Sequence, residues 1–524
     1  MKNITRAVFL LAWAAWFGAL YGQTVITGSV KDAAGRPLNG VFVSAAREGA
    51  NHTVTVFSDD TGKFRIQNLP AGKYTVSANA GGFRQSRQAE VLKPRQVTDI
   101  NFSLEPEARA QELLDQATGG EWLVSVPGTD RQKLSLSQNC SGCHGLYHLM
   151  TRRFSRADWL KIVDTMKILT AIGEVRDEKP SRWRGATDEE ITDYLGQIQG
   201  PDSPLPAIRF SPRPTGKATE GVYTEYRIPR SDAIPHDVNL DAEGNLWYND
   251  WAANYIGKLN PKTGQFKEYK MPDLAGAHPG ALGIVVDRNQ IVWVAQLWAG
   301  RVVRFDPKTE KVTGIWKTPI EPSRPGILSV DPRGGTVWLG DGIRNSAWRL
   351  DVASGNFKEY EVGGYGLEVN SKGMVYRGGF SDDKLKMLNP ETGKVSYYPT
   401  PHEDSAPRRG DVDWEDNFWF GEWLGGKIGK LDFKTGLITD YPVSVAFAAF
   451  YDAGVDRKNR LVWAQDYHND RMVRVNPANG EVVEYPMPTL DAEVRRTVID
   501  SSTNPPSVWT INMRHGLIVR LQAP

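Results

Sequence analysis

From Thr24 to Leu104, apolar and polar residues alternate in short runs broken by turn residues. Val25-Ile26-Thr27-Gly28-Ser29-Val30 stops at Asp32 to Gly35, Val41 to Ala45 follows, Asp59-Asp60-Thr61-Gly62 parts two further runs, and Gly72 precedes Tyr74-Thr75-Val76. Period-two alternation at this spacing predicts about seven short strands in a small β-sandwich. The pattern changes at Glu105, where helix formers run to Gln116. Ser155 is placed to cap a helix with Asp158 three residues on, and Trp159, Ile162, Val163 and Met166 fall at helical spacing on one apolar face. Thr187-Asp188-Glu189-Glu190 opens a last helix carrying Ile191, Tyr194 and Leu195.

A proline-rich stretch (Pro201, Pro204, Pro206, Pro212, Pro214) leads into a repeat. Strand ends aligned on Trp247, Trp293, Trp338, Val375, Trp419, Trp463 and Trp509 lie between 37 and 46 residues apart. Turns such as Asn260-Pro261-Lys262-Thr263-Gly264 and Asn389-Pro390-Glu391-Thr392-Gly393 recur after them. This period predicts a β-propeller. Outer-strand motifs such as Glu268-Tyr269, Glu359-Tyr360 and Glu484-Tyr485 end the repeats, but the seventh stops at Leu517 to Leu521. An orphan copy, Glu225-Tyr226-Arg227-Ile228-Pro229, precedes the first and should complete the last blade, leaving no open sheet edge.

Composition narrows the function classes. The 524 residues hold 63 Lys plus Arg against 62 Asp plus Glu, so no basic surface points to nucleic acid. Lys2 and Arg6 before the apolar run Ala7 to Leu20 have the form of an export signal cleaved near Gly22, with an uncleaved anchor as the alternative. No later segment is long and apolar enough to span a bilayer, so a periplasmic or secreted protein is expected.

Only two cysteines occur, and they form Cys140-Ser141-Gly142-Cys143-His144, the c-type haem attachment signature. Two thiols at this spacing would bond one covalent haem c, with His144 as proximal iron ligand. A zinc site would need further cysteine or histidine ligands, and a redox dithiol does not need the histidine. Met166 is the first choice for the distal ligand, since thioether sulfur opposite histidine raises the iron's potential; Met150 and His148 stay open as alternatives. The fold class expected is thus multidomain and mainly β. An export signal spans 1–22, a β-sandwich 24–104, a small all-α cytochrome c domain 105–200, a linker 201–221, and a seven-bladed propeller 222–524.

Two resemblances add to this. Gly28-Ser29-Val30, Gly35-Arg36-Pro37-Leu38, Asp60-Thr61-Gly62-Lys63-Phe64, Leu69 to Tyr74 and Gly82-Phe83 resemble the carboxypeptidase regulatory-like domain, which implies a stabilising or surface-contact module. His52 there is expected to be solvated. Gly244-Asn245-Leu246-Trp247-Tyr248, Asn254 to Leu259 and Lys427 to Leu431 resemble the streptogramin (virginiamycin B) lyase propeller. Those lyases open a cyclic depsipeptide by metal-assisted elimination, using Pro-His segments in their last blades. Pro235-His236 has that form in the first blade, but the fifth to seventh repeats hold Arg408, Asp452 and Arg495-Arg496-Thr497 at the corresponding places. Without that general base the lyase activity is not carried over.

The residues three after each strand tryptophan, or its substitute, are Asp250, Gln296, Asp341, Gly378, Glu422, Asp466 and Asn512. Their carboxylates are expected to ring a divalent cation on the propeller axis or a polyhydroxylated ligand; the same residue types also satisfy loop backbone. His236, Arg408, Arg409, Arg495 and Arg496 begin inner strands and would clamp a carboxylate or phosphate. His468 and His515 are expected to be exposed. The readings carried forward are a haem-linked electron-transfer protein or oxidoreductase with a periplasmic redox partner, a lyase with an appended cytochrome, and a protein that binds carbohydrate, small molecules or protein.

Overall fold

The computed structural model describes residues 24–142, 144–173, 186–380 and 382–524; the expected export signal over 1–22 and Cys143 lie outside the described residues. The chain is mainly β, with six helices among the described residues.

Residues 235–486 form six four-stranded sheets, each in sequence order, and a seventh blade (Val498–Asp500, Ser507–Asn512, Leu517–Gln522) takes Val222–Arg227 as its outer strand. The orphan strand therefore closes the ring. The recurring tryptophan has a local cause in several blades. Trp247, Trp293 and Trp419 each donate their indole N–H to an aspartate six residues earlier, at 3.1, 2.9 and 2.9 Å, so each ring locks its own hairpin turn while filling the space between blades.

The sandwich uses two sheets, and one of them does not stop at its own edge. His52–Phe57 pairs antiparallel with Val222–Arg227, with Val54 opposite Thr224, so sandwich and seventh blade share one eight-stranded sheet. Phe57 packs beside Tyr223 and Tyr485 in a propeller core cluster. His52, expected to be solvated, is half-buried at this seam with its ring 5.5 Å from that of Tyr226.

The separate all-α cytochrome domain expected over 105–200 does not form. The helices there are Ala110–Asp115, Gly119–Ser125, Asp130–Cys140, Tyr147–Met150, Arg156–Gly173 and Asp188–Ile198. The local signals hold: Ser155 Oγ accepts the Asp158 amide at 3.2 Å, and Thr187 and Glu190 form a reciprocal capping box. Each helix, however, has an apolar stripe that its neighbours cover only in part. The core around Trp122, Leu136, Trp159, Tyr194 and Leu195 is completed by Leu205, Ile208 and Phe210 from the proline-rich stretch and by Phe447 from the propeller. These helices are a docked layer rather than a closed domain.

Candidate functional site

The helical layer lies on the face where inner strands of the fifth to seventh blades begin. The Gly120 amide donates to the His468 carbonyl at 2.9 Å, and the Gly145 amide to Glu493 Oε1 at 2.9 Å. Arg408 Nη2 reaches the Gly142 carbonyl at 3.4 Å. The Cys140–His144 loop is thus held against the propeller mouth. Between them is a cavity of about 10 Å³, lined by Gly145, Tyr147, Tyr467, His468 and Glu493 among others, with room for one water. His468 is buried here, not exposed; its Nδ1 donates to the Phe447 carbonyl at 2.9 Å, and burial pushes its pKa down to about 4. His515 is exposed, as expected.

Within the loop, His144 Nδ1 lies 3.1 Å from the Gly145 carbonyl, a bond that fixes the tautomer with its lone pair on Nε2. The Cys140 thiol is pushed up to about 12 by burial. Met150 is buried in the helical core at 1% exposure. Met166 is 36% exposed although Val163, one turn back, is buried. The expectation of Met166 on a covered apolar face is therefore met by its neighbours Trp159 and Val163 but not by Met166 itself.

Beneath the loop, Arg408 sits in an aromatic cage. Its guanidinium lies 3.8 Å from the ring centre of Tyr451, 4.2 Å from Trp423, 4.6 Å from Phe380 and 4.8 Å from Tyr365. The side chain is buried, and among the described residues Nε and Nη1 have no hydrogen-bond partner. The Tyr365 and Tyr451 hydroxyls share a 2.6 Å hydrogen bond. Burial alone would raise Tyr451, but the charges of Arg408, Arg495 and Arg409 outweigh it and hold this phenol below the ordinary tyrosine range. Burial and the neighbouring Tyr451 raise Tyr365. The more acidic phenol is thus the one under the arginines.

Arg409 and Arg496 are spent on ion pairs across the ring, whereas Arg495 donates to the Glu493 and Val494 carbonyls of its own segment. Arg409 of the fifth blade makes a two-pronged pair with Asp237 of the first, at 2.9 and 2.6 Å. Burial opposes ionisation of Asp237, yet Arg409 and the hydrogen bond from His236 hold its carboxyl well below the usual range. His236 is buried and stacked on Trp251 with its Nδ1 3.0 Å from Asp237. Arg496 of the seventh blade pairs with Glu368 of the fourth at 2.6 Å and lies 3.6 Å from Asp452 of the sixth. Arg496 and Arg409 are therefore committed within the ring rather than presented as an anion clamp.

The carboxylates expected around an axial cation mostly cap turns. Asp250 accepts the Ala252, Ala253 and Ile234 amides, Asp341 those of Arg324, Ile343 and Arg344, and Asp466 those of Ala449 and His468. Each is spent on its own blade, so these three do not form the expected ring. Glu422 is different: it is fully buried, neither carboxylate oxygen has a hydrogen-bond partner among the described residues, and burial with nearby Asp440 pushes its pKa up to about 8. It faces His402 and Asp440, two residues that sequence reasoning passed over. Pro401-His402, just before the fifth inner strand, was the available signal; Asp440 has no local signature. Tyr451 was missed because only the fold brings three arginines around it.

Residues 25–105 match the family model of the carboxypeptidase regulatory-like domain. The propeller is similar to solved lyase structures. A streptogramin B lyase aligns over its whole length and 59% of this chain, with 20% identity and a TM-score of 0.52. The virginiamycin B lyase of Staphylococcus aureus aligns over its whole length and 58% of this chain, with 20% identity and a TM-score of 0.51. A catalytically inactive form of that lyase with quinupristin gives 20% identity and a TM-score of 0.52. At this identity the likeness speaks for the fold alone. No curated protein matches the chain in sequence. No described helix is long and apolar enough to cross a membrane.

Proposed function

We propose that this chain is an exported haem c protein, an electron-transfer protein or haem-linked oxidoreductase, in which the propeller face presents a small anionic or polar substrate beside the haem attachment loop. The observation that carries the reading is the docking of that loop on the propeller mouth, through Arg408 to Gly142 and Gly145 to Glu493.

The residues present fit the group. Cys140 and Cys143 would hold it covalently and His144 would take the iron, with Met166, exposed on its helix, as the proposed distal ligand. When bound, such a group supplies one-electron redox chemistry, with electrons leaving to a periplasmic partner. Arg408 supplies two guanidinium nitrogens for a carboxylate or phosphate in a site whose aromatic walls exclude water. The charges of its arginines favour the phenolate form of Tyr451 over what burial alone would allow, which makes its oxygen the proton acceptor of this reading, hydrogen-bonded to the Tyr365 hydroxyl. The Asp237–Arg409 and Arg496–Glu368 pairs fix the inner strands that carry these groups.

The visible spectrum of protein exported from a host competent in haem attachment tests this. Covalent colour is expected in the parent chain and its loss in Cys143→Ala. The oxidised form, challenged with carboxylate, phosphate and sugar substrates without reductant, should be reduced by one class, and more slowly in Arg408→Gln. An exported chain without covalent haem overturns the reading.

A further inference from the structure

The fifth blade carries a second cluster, away from the Cys140–His144 loop. His402 lies in the connection leading to the inner strand Pro407–Val412, Glu422 ends the second strand Phe418–Glu422, and Asp440 lies on the outer strand Ile438–Pro442. One ligand atom from each falls within 4.8 Å of the others. His402 Nε2 lies 2.8 Å from Asp440 Oδ2 and 3.6 Å from Glu422 Oε2. We infer that His402, Glu422 and Asp440 form a divalent-cation site that clips the entry connection of the fifth blade to its second and outer strands.

Two features carry the inference. A fully buried carboxylate without a hydrogen-bond donor is costly, and a cation would remove that cost. Asp440 also keeps Oδ1 without a partner, so the two carboxylates retain lone pairs for a metal. The Lys427 ammonium, 2.6 Å from His402 Nε2, is the cation a metal would have to displace from that nitrogen. One imidazole with two carboxylates suits a borderline ion such as zinc better than calcium, which prefers a shell of oxygens. Three protein ligands leave a position open to water or to a ligand group.

The site would bear on the propeller mouth through the chain itself. The connection it fastens holds Asp404 and Ala406 at positive φ, 55° and 46°, and runs directly into Pro407 and Arg408. Asp383 accepts the Asp404 and Ala406 amides at 2.9 and 3.1 Å. A cation at His402 would tie the same loop from its other side and keep Arg408 in register with its cage.

The test is zinc uptake by the full exported chain with any free thiols alkylated, read by calorimetry and by metal content after gel filtration. One equivalent is expected, with calcium unable to compete at equal concentration. His402→Ala and the shape-conserving Asp440→Asn should each weaken binding by more than about tenfold, while circular dichroism stays that of the parent. A parent chain that takes up no zinc, or uptake unchanged in both variants, overturns the site.

Discussion

Equivalent positions in the third and fifth blades have opposite fates. Asp341 and Glu422 both stand three residues after the strand tryptophan and both are fully buried. Asp341 accepts three backbone amides, the Ser323 hydroxyl and the Trp348 indole, whereas Glu422 accepts no hydrogen bond from the described residues. One extra methylene carries the carboxylate past the turn that its counterpart caps. The contrast extends to the wider ring. Asp250 and Asp341 of the early blades are spent on self-contained turns, as is Asp466 of the sixth, while the fourth to sixth blades carry the arginine cage and the fifth to seventh receive the helical layer. A repeated fold keeps its scaffold in some units and frees the same positions for chemistry in others.

The sharpest way to break the comparison is to cut the tie between the two sides of the ring. Asp237→Ala leaves Arg409 buried with an uncompensated charge, and a loss of about 3–5 kcal/mol in denaturant unfolding is expected. A loss near zero would mean that the first and fifth blades are stabilised independently. Next comes the paired isosteric exchange. Asp341→Asn turns an amide group toward donors and should cost about 2–3 kcal/mol, while Glu422→Gln, measured with chelator present, should cost less than about 0.5 kcal/mol. Equal costs would erase the distinction between cap and free carboxylate.

Much of this architecture is legible in the sequence because its causes are local. The tryptophan–aspartate lock recurs within one hairpin, so the blade count and the strand that closes the ring follow from spacing. The sandwich, too, can be read from alternation and turn residues. The helical layer fails as a domain because amphipathic spacing around Trp159 and Tyr194 shows that a face is apolar but not what covers it; Phe447 and Phe210 do so from far along the chain. The seam between His52–Phe57 and Val222–Arg227 is likewise a pairing of distant segments, with no trace near either. At the mouth, Arg408 and Arg496 look alike in sequence. Only the fold separates an arginine paired with Glu368 from one held among four rings.

A pH series sharpens the comparison at the join of the ring. Burial pushes Glu225 up to about 7, against the hydrogen bond from the Thr489 hydroxyl. Its folded value lies above its unfolded one, so the native state holds this proton more tightly. That contribution is complete below about pH 4.5 and is lost as pH rises through about 7. Glu225→Gln does not titrate. Relative to the parent it should gain on the order of 2 kcal/mol between pH 5 and pH 8, read as a difference in unfolding midpoints. A constant difference across that range would place the pH sensitivity of the propeller at other carboxylates.

The smallest expected effect bears on how the helical layer is held. A Cβ on Gly120 would run into the side-chain oxygen of Asn469, whose Nδ2 donates to Asp466 at 2.7 Å. In Gly120→Ala the asparagine must move and the docking contact weakens, while alanine favours the helix Gly119–Ser125 by about 0.5–1 kcal/mol over glycine. The two terms oppose, so overall stability should change by less than about 1 kcal/mol. Amide exchange separates them. Protection should fall at Gly145, whose amide binds Glu493, while the strands of the first three blades keep theirs. Exchange that rises equally in the early blades would mean that the helical layer stabilises the whole ring rather than the side on which it sits.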